Sequence, residues 1–119
     1  MHYPVWRQSW NGIVAPSATL VARVTDIKHT RTNEKGKGQD FVMVDAGFCD
    51  LVRPAMYGSF HRIEVASAEP GPVAPFAVAG PLCESGDVFT RDAGELIEPR
   101  DLPTPRIGDL VLLRDAGAY

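Results

Sequence analysis

Between two glycines, the stretch Gly80-Pro81-Leu82-Cys83-Glu84-Ser85-Gly86-Asp87 carries a thiol, a hydroxyl and two carboxylates. That density of polar and ionisable groups fits a site better than a core. Gly80 and Pro81 end the apolar run Phe76-Ala77-Val78-Ala79, and Gly86 can take backbone angles closed to other residues. Cys83 and Glu84 are therefore expected on a tight loop at a strand end, where adjacent side chains can be aimed at one reacting group. The alternative is a turn holding a buried, inert cysteine and a solvated glutamate. A second constellation lies in Asp50-Leu51-Val52-Arg53-Pro54-Ala55-Met56-Tyr57-Gly58. If Pro54 starts one short helical turn, Arg53 and Tyr57, four residues apart, project from the same side.

The composition limits what such groups can serve. A length of 119 residues fits one domain with a modest core, and the 45% hydrophobic and 23% charged residues are those of a globular chain, not a disordered one. The formal net charge of −3, with scattered Lys and Arg, offers no basic stripe for nucleic acid. The two cysteines, Cys49 and Cys83, sit in dissimilar settings, so no disulfide framework is expected and a reducing cytoplasm fits best. No apolar run approaches the roughly 18 residues of a membrane span, and Met1-His2-Tyr3-Pro4 is not the start of an export signal. The expectation is a cytoplasmic protein with no membrane, nucleic-acid or metal partner.

The elements that must position these groups read as strands. Leu20, Ala22 and Val24 alternate with Thr19, Arg23 and Thr25 over 18–29, the period of a half-buried strand. Residues 30–39 read as a solvated hairpin tip; a phosphate cradle at Gly36-Lys37-Gly38 lacks the helix it would need. Phe41-Val42-Met43-Val44 predicts a central buried strand that stops at Asp45-Ala46-Gly47. Further strands are expected from His61 to Val65, through Phe76 to Ala79, at Val88-Phe89, from Glu95 to Ile97 and over Leu110-Val111-Leu112-Leu113, with a proline-laden passage over 99–105. Residues 1–17, which hold Trp6 and Trp10, show no period. Asp-Ala-Gly recurs at 45–47 and 115–117, and turn chemistry suffices to explain it. Ten prolines, eleven glycines and short strands together indicate an all-β barrel or sandwich.

Four segments in order, Val44-Asp45-Ala46-Gly47-Phe48, Leu51-Val52-Arg53-Pro54-Ala55-Met56-Tyr57-Gly58-Ser59-Phe60-His61, residues 80–87 and Asp115-Ala116-Gly117-Ala118-Tyr119, resemble the C-terminal domain of the diaminopimelate decarboxylases. The resemblance covers roughly 18–119, after a divergent segment over 1–17. It implies the Greek-key-like C-terminal β-barrel domain of a fold-type III pyridoxal-phosphate decarboxylase, a homodimer with shared active sites. The implied reaction is decarboxylation of meso-diaminopimelate, an amino-acid substrate, to L-lysine in lysine biosynthesis. Pyridoxal 5'-phosphate would be bound covalently by a lysine outside this chain.

By the same resemblance Cys83 matches the proton donor, supplied to the partner's cofactor; a thiol still carries its proton at neutral pH, as that role needs. Glu84 matches the residue that binds the substrate's distal ammonium, Arg53 and Tyr57 the pair that holds a substrate carboxylate, and Tyr119 a tyrosine near both cofactor and substrate. The unremarkable alternatives are Arg53 as an ion-pair partner, Tyr57 as a core aromatic and Tyr119 as a chain end. The family's Glu-Pro-Gly-Arg segment is absent, none of Lys28, Lys35 and Lys37 matches the cofactor lysine, and the family continues beyond the position of Tyr119. A domain incomplete at both ends, inactive alone, is expected. Related ornithine, lysine or carboxynorspermidine decarboxylases are the alternative, as is a non-catalytic β-domain that dimerises with an intact decarboxylase. Arg53 with Tyr57 speaks against the simple diamine precursors, whose substrates lack a second carboxylate.

Overall fold

Strand β1 (Leu20–His29) buries Ala22 and Val24 and exposes Val21, Arg23 and Thr25, as the alternation requires. It turns back through residues 30–39 into β2 (Asp40–Val44), with the Thr30 amide donating to the Gln39 carbonyl at 3.0 Å. In the computed structural model, which describes residues 14–34 and 36–117, these strands belong to one sheet. The Gly36-Lys37-Gly38 stretch lies in the hairpin tip. Residues 1–13, with both tryptophans, and Lys35, Ala118 and Tyr119 lie outside the described residues.

After β2 comes a single helical turn, α1 (Arg53–Tyr57), with proline at its start and Gly58 as its left-handed cap, φ 60°. Glycine is required there twice over. A side chain would be strained at that angle, and its Cβ would collide with the Asp92 carbonyl. The remaining strands are β3 (Ile63–Ala66), β4 (Val73–Ala79), β5 (Arg100–Pro103) and β6 (Leu110–Leu113). The sheet order is β3-β6-β1-β2-β4-β5, so β6 is inserted between β3 and β1. All pairs are antiparallel except β2 with β4, where Val42 faces Val78 and Met43 faces Ala79.

The outer strands β3 and β5 touch, and the sheet is nearly closed into a barrel. Arg100 of β5 spans that seam. Its guanidinium donates to the His61 carbonyl and lies 3.9 Å from the centroid of the Phe60 ring. Burial lowers its pKa, yet a guanidinium so placed stays cationic at neutral pH. Inside lie Val24, Val42, Val44, Leu51, Val78, Val111 and Leu113, each at most 1% exposed. Burying such side chains is the main favourable contribution to a fold of this size.

Three expectations change. Val88-Phe89 and Glu95 to Ile97 make single bridges, Val88 to Ala79 and Ile97 to Arg91, rather than strands. The third strand starts at Ile63, two residues late, because His61 turns inward to place Nδ1 2.9 Å from the Arg114 carbonyl oxygen. The proline-laden passage contains a real strand, β5, which is possible because an edge strand tolerates proline.

On the sheet surface, Glu64 receives Arg114 at 2.7 Å and Arg62 at 3.0 Å. The hydrogen bond from Arg114 holds its carboxyl below the ordinary value; a smaller desolvation effect opposes this, and the charges of Arg114 and Arg62 add to it. A carboxyl lowered on folding contributes stability above its unfolded pKa and loses it as pH falls through the folded one. The Glu64→Gln variant should therefore be less stable than the parent at neutral pH, with the difference shrinking as pH drops below the ordinary glutamate value of about 4.3. Urea midpoints of both proteins across that range check this; a difference independent of pH would contradict it.

Candidate functional site

Because β2 and β4 run parallel, both release the chain at the same end of the sheet, and the two candidate constellations follow from there. After Ala79 the chain enters the 80–87 loop, closed at its base by the Gly80 amide donating to the Asp87 carbonyl at 3.0 Å. Residues 81–85 are exposed, so Cys83 and Glu84 stand in the open. The buried, inert cysteine is thereby excluded. Glu84 Oε1 accepts from the Gly86 amide and the Ser85 hydroxyl, both at 3.2 Å. These bonds fold the carboxylate back over its own loop and restrict its rotamers.

Asp87 behaves differently from the rest of the loop. It is 3% exposed, and its two oxygens accept backbone amides at 2.8 Å each, Oδ1 from Phe48 and Oδ2 from Leu82. The second carboxylate of the stretch is thus a structural acceptor. Gly86, free to take backbone angles closed to other residues, is not among the positive-φ glycines of the described residues. Gly80 is needed instead for close approach: a Cβ there would stand 2.6 Å from the Ala46 carbonyl oxygen and 2.7 Å from Asp87 Oδ1. Arg91, unremarked in the sequence, fastens the far side of the loop through Nη1 to the Gly86 carbonyl at 3.4 Å and Nη2 to the Glu95 carbonyl at 2.8 Å.

Beyond β2, the turn at residues 47–50 leads through the buried Leu51 to α1. The helix and the loop face each other across a cleft of about 270 Å³ lined by Phe48, Val52, Ala55, Met56, Glu84, Gly86 and Arg91. Glu84 is brought onto the wall. Ala55 and Met56 bring α1 to the cleft, preceded on the wall by its N-cap Val52; Arg53 and Tyr57 on the same helix and Cys83 next to Glu84 are not among the lining residues. Arg53 is half-buried, whereas Tyr57 is 54% exposed and is no core aromatic. Met56 and Phe60, 62% and 72% exposed, leave an apolar rim around the same turn. Tyr119 lies outside the described residues.

The sequence reading missed Asp87 and Arg91 as supports. A signal existed for the first: Asp87 immediately precedes Val88-Phe89, and a carboxylate flush against a buried apolar pair must find donors. For Arg91 there was none, because its bonds are to carbonyls whose position only the folded loop defines.

The family model described as "Pyridoxal-dependent decarboxylase, C-terminal sheet domain" matches residues 13–117, and the chain belongs to that family. It is 46% identical over 112 residues to the diaminopimelate decarboxylase of Escherichia coli K12, covering 90% of this chain and 25% of that protein. A crystal structure of diaminopimelate decarboxylase superposes with a TM-score of 0.80 at 46% identity, over 92% of this chain and 26% of the other. The Helicobacter pylori diaminopimelate decarboxylase complexed with L-lysine gives 0.70 at 32% identity, over 90% and 23%. The chain thus spans about a quarter of the length of the relatives it matches.

Proposed function

We propose that this domain works in a decarboxylase that converts meso-2,6-diaminopimelate to L-lysine and carbon dioxide in lysine biosynthesis. The observation that carries the reading is the convergence of the 80–87 loop and α1 on one cleft, in a chain of the pyridoxal-dependent decarboxylase family. In this reading Cys83 holds the proton delivered to the reacting carbon and Glu84 takes the distal ammonium of the substrate. Arg53 and Tyr57 hold a substrate carboxylate, for which a planar guanidinium is well shaped, and Tyr119 lies near cofactor and substrate.

Pyridoxal phosphate supplies a sink for the electron pair left when carbon dioxide departs. The loop and helix that form the cleft carry residues that fit a place beside such a group: the exposed thiol of Cys83, adjacent to Glu84, as acid, and Glu84 and Arg53 as charged anchors. Among the described residues the lysines lie elsewhere. Lys28 pairs with Phe41 and Lys37 sits in the hairpin tip, at the opposite end of β2 from the loop, on the order of 15 Å along the strand. By the family resemblance, the cofactor's covalent attachment is assigned to a lysine outside this chain; Lys35 lies outside the described residues. A homodimer with shared sites is supported by the exposed Met56 on the cleft wall and the exposed Tyr57 and Phe60 that follow it in the chain, which another surface would cover. Among the described residues no helix is long and apolar enough to cross a membrane. A cytoplasmic location is part of the proposal. The assigned domain division is a divergent segment over 1–17 and the sheet domain over 18–119.

The test is Arg53→Ala in the full-length enzyme. Loss of a charged hydrogen-bonding partner should cost about 1.5–3 kcal/mol, or roughly 10- to 150-fold in kcat/KM, and discrimination against lysine should fall with it. An unchanged preference for diaminopimelate over lysine would make Arg53 a structural residue, and a parent enzyme that does not decarboxylate diaminopimelate would refute the substrate assignment.

A further inference from the structure

We infer that Asp87 is the positioning residue that keeps the Cys83–Glu84 loop in register with the Arg53–Tyr57 helix; the inference rests on the function proposed above. Its buried carboxylate joins two separate segments. Oδ2 accepts the amide of Leu82, the residue before Cys83, and Oδ1 accepts the amide of Phe48, which lines the cleft and begins the path to α1. Both donors are backbone groups, so these bonds define where the main chain of each segment lies, not merely where a side chain points.

Neighbouring glycines leave room for this arrangement. A Cβ on Gly47 would stand 3.1 Å from Asp87 Oδ2 and 2.9 Å from Leu82 Cδ1, and one on Gly80 would collide with the same carboxylate. The strands do not depend on the carboxylate for their own pairing: β4 is held by β2, by β5 and by the Val78 amide donating to the Thr90 hydroxyl at 3.1 Å. Loss of the Asp87 contacts should therefore release the loop and the 47–50 turn from each other while the sheet persists.

The Asp87→Asn variant keeps the shape but offers one acceptor oxygen and an NH2 donor, so one of the two amides loses its partner. In the full 119-residue chain, hydrogen exchange at the Phe48 or Leu82 amide should rise by about tenfold or more, with the amides of Val42 and Val78 unchanged. In the full-length enzyme, kcat should fall about 10- to 100-fold, as expected when reacting groups are displaced by about an ångström, and discrimination between diaminopimelate and lysine should narrow. Unchanged exchange at both amides would overturn the inference. So would faster exchange across the whole sheet with catalysis intact, the mark of a purely structural residue.

A measurement on the unaltered chain does not depend on the variant folding. The amides of Phe48 and Leu82, both bonded to the buried carboxylate, should exchange more slowly than the amides of the exposed Cys83 and Ser85 in the same loop. Exchange at either amide as fast as at those neighbours would overturn the inference. If the exchange results hold but the enzyme shows no activity on diaminopimelate with Asp87 intact, the proposed function fails and Asp87 does not position a catalytic loop.

Discussion

Replacing Cys83 with alanine should lower turnover of the full-length enzyme by about 10²–10⁴, the span usual for loss of a positioned general acid. The fold should be indifferent to the change, because Cys83 is exposed and the loop is held by Asp87, Arg91 and the Gly80 amide rather than by the thiol. Denaturation midpoint and cofactor absorbance should therefore match the parent. The same variant tests whether the thiol serves the partner subunit. Two inactive homodimers, one carrying Cys83→Ala and the other lacking the cofactor lysine, are mixed under exchange conditions. If sites are shared between subunits, each heterodimer has one site with both lesions and one with neither, and activity returns in part. If each thiol serves its own subunit, every site keeps one lesion and mixing restores nothing. That result, with heterodimers confirmed by native mass spectrometry, would end the assignment in trans.

The second large effect concerns stability. Leu113 is fully buried on β6, paired with Leu20 of β1 on one side and Ile63 of β3 on the other. Truncation to alanine leaves a cavity that three hydrogen-bonded strands cannot easily close. Leu113→Ala should cost about 2–5 kcal/mol, a large share of the about 5–15 kcal/mol typical of a small domain. Equilibrium denaturation measures it directly. A loss under about 1 kcal/mol would show that the sheet relaxes around the site more freely than its pairing suggests.

What could be read from the chain was whatever its local chemistry dictates. The alternation at Leu20, Ala22 and Val24 marked β1, Pro54 marked the start of α1, and Gly80-Pro81 marked where β4 must stop. The loop and helix that now face one cleft were legible as separate constellations, and their joint order carried the family resemblance. What escaped depends on partners far along the chain. Strand β5 hides between prolines because only its place at the sheet edge makes Arg100 to Pro103 extended. The parallel register of β2 with β4 joins residues more than thirty positions apart, and no local pattern records it. Asp87 read as one more polar loop residue, since burial of a carboxylate is a property of the amides that surround it.

The insertion of β6 between β3 and β1 bears on how the domain is made. Both flanking strands are synthesised well before their shared neighbour, and Leu20 must wait for its far-separated partner Leu113. Until then β1 can pair with β2 as a hairpin, but its other edge and that of β3 stay open. Pairings of such long sequence separation are slow to form, because loop-closure entropy is lost before the contacts compensate it. On the ribosome, therefore, this part of the sheet stays unfinished until β6 emerges, and a chaperone would have to shield those open edges in the interval.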